Sequence, residues 1–154
     1  MSDIIFAGKH FTIERHPQPF VCRTEGGHLR VFPKNHQISE RRELTKEQAL
    51  EFMKLSAAAG EALELAMNEL GIPVVKINYE DLGNWAFKRG ERPVLHLHVF
   101  GRAKDALNQK FPEAVYLPDR SSGFYDSFKP LTDEDMALIK KYLVEILESK
   151  YKNW

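Results

Sequence analysis

An α+β domain is the fold class that the sequence predicts: an antiparallel sheet of about five strands, a central helix packed on it, and a C-terminal helix added. Three observations predict it. Short apolar runs broken by Pro17, Pro19 and the Gly26-Gly27 pair fill residues 4–33, and a long stretch of helical spacing follows. Further on, Val94-Leu95-His96-Leu97-His98-Val99-Phe100 alternates two chemistries with period two, the signature of a strand with one buried face.

The elements follow in order. Ile4-Ile5-Phe6, His10-Phe11-Thr12-Ile13, Phe20-Val21-Cys22 and His28-Leu29-Arg30-Val31-Phe32 read as strands of an antiparallel meander. Thr45 with Gln48 three residues on is a capping-box signature, and it opens a helix over 46–70 whose apolar positions include Phe52, Met53, Ala59, Leu63, Ala66 and Met67. Gly71 and Pro73 stop it. Pro73 to Tyr79 is a strand expected to pair with the histidine strand. Residues 103–131, with Pro112, Pro118, Gly123 and Pro130, lack a sustained period and read as an irregular arm. The acidic first turn Asp133-Glu134-Asp135 suits the positive end of a helix dipole, and Ile139, Leu143 and Ile146 carry the last helix onward.

At 154 residues the chain is expected to be one domain, and 43% hydrophobic with 29% charged residues is globular composition. Lys plus Arg equal Asp plus Glu at 22 each, which argues against a nucleic-acid or membrane partner and makes any anion site local. The lone Cys22 excludes an internal disulfide and reads as a small core residue. Met1 to Phe6 has no basic n-region, and no run is long and apolar enough for a membrane span, so a cytoplasmic location is expected.

His96 and His98 share one face of their strand, about 7 Å apart at a rise of roughly 3.3 Å per residue, while Leu95, Leu97 and Val99 face the core. That spacing suits one phosphate or one metal. Gly101-Arg102 and Lys104 are expected to add a flexible turn and two cations at the strand's end.

Upstream, Gly27-His28-Leu29-Arg30-Val31-Phe32-Pro33-Lys34-Asn35-His36 is a strand leaving into a Pro-Lys-x-His turn before the long helix. With the later histidine strand, this order resembles the histidine triad (HIT) family of nucleotide hydrolases and transferases, whose motif alternates three histidines with apolar residues. The matching stretch here runs from Val94 to Phe100, with Val94 in the place of the first histidine. The resemblance covers roughly residues 3–102 and leaves 103–154 as a C-terminal extension. It implies that His96 attacks the α-phosphate of a dinucleoside polyphosphate or nucleoside phosphoramidate through a nucleotidyl-histidine intermediate. It further implies that His98 contacts the leaving-group oxygen and serves proton transfer, that His36 supports the site, and that Asn78 donates or orients. No cofactor is implied. The expected partners are a small-molecule nucleotide and a second copy of the chain, docked through the central helix and the strand near Asn78.

The chain departs from the family pattern at Val94, at the missing Gly-Gln-Ser/Thr stretch, and at the missing acidic ribose ligand, where Cys22, Arg23 and Thr24 stand. The loop from Gly83 to Arg92 offers Trp85 and Arg89, and the strand end Arg102, as substrate contacts. Two readings of each stay open: Trp85 stacks on a base or caps the core, Arg89 binds phosphate or is merely solvated, and Asn78 serves the site or forms a turn. His10, His16 and His28 are read as structural. Two other functions remain: a nucleotide-binding module that lost turnover with Val94, and a metal protein using His96, His98 and His36.

Overall fold

The computed structural model describes residues 2–154, and within them five strands: β1 (Ile4–Ala7), β2 (Phe11–Arg15), β3 (His28–Pro33), β4 (Val74–Asp81) and β5 (Leu97–Ala103). They join antiparallel in the order β1-β2-β3-β5-β4, so β4 does lie beside β5. The helices are α1 (Lys46–Glu69), the short α2 (Asn84–Lys88) and α3 (Asp133–Ser149). The α+β class with its five-stranded sheet is thus as the sequence predicts.

Both long helices start on reciprocal caps. The Thr45 hydroxyl accepts the Gln48 N–H at 3.2 Å while the Thr45 N–H donates to Gln48 Oε1 at 2.9 Å, which satisfies two donors the helix cannot pair itself. Thr132 and Asp135 repeat the arrangement at 3.2 and 2.7 Å. The alternation of β3 and β5 sends Leu29, Val31, Leu97 and Val99 to one face. There they meet Leu55, Ala59, Leu63 and Ala66 of α1, with Ile139 and Leu143 of α3 buried in the same core.

Two expected elements differ. Phe20-Val21-Cys22 is not a strand: the Phe20 N–H is used by the His28 ring at 3.1 Å, and the chain then tightens into a 3-10 turn at Arg23–Glu25. Nor is Gly101-Arg102 a turn, because β5 starts three residues after Val94 and runs through both to Ala103. Gly101 is required there by a close approach: a Cβ on it would lie 2.1 Å from the Gly26 carbonyl oxygen.

Residues 104–131 are irregular as expected, apart from a 3-10 turn at Arg120–Ser122, yet they are packed. They close a second apolar cluster in which Phe20, Val21 and Phe100 meet Val115, Tyr125 and Phe128. Side chains replace the missing ladder as hydrogen-bond partners. The buried Glu25 carboxylate accepts the N–H groups of Leu107, Asn108 and Gln109 at 2.8, 2.7 and 3.0 Å. The Gln109 amide donates to the carbonyls of Phe20 and Tyr116, both at 2.8 Å. Leaving any one of these buried groups unpaired costs about 1–3 kcal/mol, so the arm is fastened across the sheet face that carries the histidines.

Candidate active site

Along β3, His28, Arg30 and Phe32 alternate with core-facing Leu29 and Val31, and the register sets Arg30 opposite His98 and His28 opposite Phe100. Directly opposed residues point to the same face, so β3 delivers a second row of side chains onto the histidine side of β5. A cavity of about 570 Å³ opens there; His16, Arg30, Trp85, His96, His98 and Arg120 are among its lining residues.

The imidazoles converge more closely than the strand repeat. The His96 and His98 ring centroids are 4.6 Å apart with planes at 80°. His28 lies 5.0 Å from His98, and His16 stacks on His28 at 4.5 Å. Four of the six histidines therefore form one cluster.

Backbone groups fix the proton positions in this cluster. Because the Phe20 N–H donates to His28 Nδ1, the His28 proton is on Nε2, and at 2.8 Å it donates to His98 Nδ1. His98 in turn carries its proton on Nε2. His16 Nδ1 accepts the Gln18 N–H at 3.1 Å, which makes His16 an Nε2–H donor as well. His96 is the reverse: its Nδ1–H donates to the Val94 carbonyl at 2.8 Å, leaving a lone pair on Nε2. The partner is a backbone oxygen, so the valine side chain does not disturb this tautomer. The cluster thus combines one unprotonated nitrogen with neighbouring N–H donors, a nucleophile beside groups that stabilise negative charge.

Burial keeps the rings neutral. Desolvation, followed by the neighbouring rings and Arg30 and Arg120, lowers His98 to about 2, and desolvation with Arg30 and Arg120 lowers His16 to about 3. Desolvation likewise pushes His28 well down, and it lowers His96 against the opposing pull of the Val94 carbonyl. In the unfolded chain these rings take up protons as pH falls below about 6.5; in the folded protein His16, His28 and His98 resist this far below that pH, and His96 is shifted in the same direction. Their contribution to stability is therefore whole above about 6.5 and declines below it, by up to about 1.4 kcal/mol per pH unit for each of the buried His28 and His98. Urea midpoints measured between pH 7.5 and 5 should fall, and a flat profile over that range would contradict neutral burial.

Other expected site residues are placed differently. Trp85 and Arg89 line the cavity. Trp85 also meets Phe20 edge-on at 5.6 Å, which is the core-capping reading, whereas Arg89 is bridged to Glu91 at 2.8 Å and exposed. His36 is outside the cavity lining, exposed, with its ring edge-on to Phe32 at 5.2 Å; Phe32 in turn lies 5.9 Å from His96. A direct supporting contact is therefore corrected. Arg102 is also corrected as a substrate contact: it points to the histidine face but six residues past His96, about 20 Å along the strand. Its guanidinium donates to Asn78 Oδ1 at 2.6 Å and to the Glu113 carbonyl at 2.7 Å, fastening the arm. Asn78 is thus a partner of Arg102 and does not line the cavity. Among the described residues no group of three or more His, Cys, Asp or Glu is disposed to hold a metal ion, which leaves the metal reading without a ligand set.

Sequence reasoning missed His16, His28, Arg30 and Arg120. For His28 and Arg30 a signal was present, the period-two alternation of β3 against Leu29 and Val31. His16 and Arg120 had none, since each is brought in by an irregular segment.

A HIT domain model matches residues 2–105. No curated protein sequence is significantly similar to the chain. Among solved structures, the chain resembles a histidine triad protein from Sinorhizobium meliloti with a TM-score of 0.63 and 20% identity, over 92% of this chain and 87% of that one. It also resembles a histidine triad protein from Marinobacter aquaeolei, with a TM-score of 0.62 and 22% identity over 94% and 88%. A uridylyltransferase is similar too, with a TM-score of 0.55 and 18% identity over 94% of this chain and 44% of that one. At these identities the structures establish a shared fold.

Proposed function

We propose, from the premise that this chain belongs to the HIT domain family, that it is a nucleotide hydrolase or nucleotidyl transferase working through a covalent nucleotidyl-His96 intermediate. The family includes both kinds of enzyme. The single observation that supports catalysis here, despite Val94, is the His96 tautomer: Nδ1–H is engaged by a main-chain carbonyl and Nε2 keeps its lone pair in the cavity.

In this reading Nε2 of His96 forms a bond to the α-phosphorus of a dinucleoside polyphosphate or nucleoside phosphoramidate. The bond from phosphorus to the leaving group breaks, and its electron pair departs with that group. His98, as an Nε2–H donor, faces the leaving atom. In the second half, the oxygen of water or of an acceptor phosphate bonds to phosphorus, the P–N bond returns its pair to Nε2, and water's proton passes to solvent. Splitting one displacement into two lets a positioned imidazole replace a poorly placed water. Acid-quenched protein treated with substrate should carry a nucleotide mass increment on the His96 peptide. Binding without any increment would favour a nucleotide-binding module.

The same reading places the protein in the cytoplasm as a homodimer through α1 and β4, where Met53 and Tyr79 expose 58% and 46% of their surface. Sedimentation velocity tests the pairing, and a monomer at all concentrations would remove it.

A further inference from the structure

The arm reaches the cavity through Arg120, which lies beyond the matched residues 2–105. Its guanidinium carbon is 4.5 Å from the Phe20 ring centroid and 5.3 Å from that of Tyr125, and the Phe20 ring is 5.6 Å from His98. It donates to the Gln18 carbonyl at 2.7 Å, but among the described residues no carboxylate pairs with it. The adjacent Asp119 is taken by Lys88 at 2.6 Å and by Ser121. Arg30, also in the lining, is bridged to Glu14 at 2.5 Å and still holds a buried Nε–H without a partner. Of the charged residues lining the cavity, Glu91 is the one acid against Arg30, Arg89, Arg92 and Arg120, and it is bridged to Arg89. The half-buried Arg120 guanidinium, without a matching carboxylate, and the unpartnered Nε–H of Arg30 complement an anion that arrives with the ligand.

A second observation concerns His98. Its Nδ1 is filled by the His28 N–H, and His28 Nδ1 by the Phe20 N–H. Giving up the Nε2 proton would therefore leave an imidazolate with no route to replace it. His98 can donate a hydrogen bond but cannot act as an acid, which corrects the proton-transfer role expected from the sequence. An amine expelled from a phosphoramidate needs a proton; a phosphate expelled from an anhydride leaves as a stable anion without one.

We propose that Arg120, with Arg30 and the Nε2–H donors of His98 and His16, forms a subsite for a phosphate-bearing leaving group, and that the site selects phosphoanhydrides over phosphoramidates. This rests on the nucleotidyl-His96 reading. His96 Nε2 bonds to the α-phosphorus, the bond from phosphorus to the bridging oxygen breaks, and the electron pair leaves on that oxygen as a phosphate anion with no proton moved.

Arg120→Met removes the charge while keeping an apolar stem on Phe20 and Tyr125. The test compares kcat/KM for diadenosine tetraphosphate and for an adenosine 5′-phosphoramidate of an alkylamine, together with calorimetric affinity for tripolyphosphate. The wild type is expected to prefer the anhydride; Arg120→Met should lower the anhydride-to-phosphoramidate ratio about 30-fold and tripolyphosphate affinity about tenfold, as loss of a charge-assisted contact implies. Arg120→Lys should retain most of both. Equal losses in the Met and Lys variants would trace the effect to packing and overturn the assignment, as would an unchanged ratio in Arg120→Met or a wild type faster on the phosphoramidate. If neither substrate labels His96, the proposed function fails. The subsite is then judged on tripolyphosphate alone: binding that depends on the Arg120 charge upholds it, and binding indifferent to Arg120 removes it.

Discussion

His96→Ala is expected to reduce turnover of a nucleotide substrate by about 10⁴-fold or more while leaving affinity for AMP within about tenfold. The asymmetry follows from the geometry. The Arg30 and Arg120 guanidiniums and the Trp85 ring line the cavity independently of the His96 side chain, so contacts made equally in ground and transition states persist. The Nε2 lone pair has no substitute, because the tautomers of His16 and His98 present protons where His96 presents electrons. Rapid-quench kinetics with substrate in excess, paired with calorimetry of AMP, separates the two quantities. Full turnover in the variant would sink the covalent mechanism, and loss of AMP binding in parallel with turnover would mean that His96 acts chiefly as a binding group.

The sheet and its long helices were legible because each carried a local signal. The Val94–Phe100 alternation, the Thr45–Gln48 cap and the Gly71-Pro73 stop each report on a few neighbouring residues, and the core positions Leu29, Val31, Leu97 and Val99 follow from parity alone. Half of the site was legible for the same reason: His96 and His98 stand two apart in the alternating run, although β5 itself begins at Leu97, one residue after His96. The other half depends on register. That Arg30 faces His98 is decided by the pairing of β3 with β5, and residues far apart in the chain carry no local mark of it. Gly101-Arg102 shows the opposite error. A glycine beside a cation reads as a turn, but Gly101 is small because the Gly26 backbone presses against it, and Arg102 is buried to serve carbonyls of an arm that is unstructured by any sequence period.

A second effect is expected at His28, a ring read from the sequence as structural although the period-two alternation of β3 marks its face, and one that lies behind His98 with its centroid 5.0 Å away. His28→Phe keeps an aromatic against Phe100, now 4.6 Å from the His28 centroid, but removes the donor to His98 Nδ1. His98 is then free to carry its proton on either nitrogen, and a fraction of molecules present a lone pair to the leaving group in place of an N–H. Outright loss of such a donor costs about 10²–10³ in kcat, but a tautomer mixture forfeits only the fraction of molecules that present the lone pair, so kcat is expected to fall about two- to fivefold, with KM little changed because the cavity lining is retained. The variant also leaves the Phe20 N–H without its acceptor, a penalty of about 1–3 kcal/mol in stability, so a structural role alone would lower the urea midpoint. Imidazole 15N NMR distinguishes the two effects: His98 should be a single Nε2–H tautomer in the wild type and a mixture in His28→Phe, while His28→Gln, which restores a donor toward His98, should recover part of kcat. A wild-type kcat in His28→Phe, or a His98 signal unchanged by the substitution, would show that the ring sets no proton position and that His98 is oriented by something else.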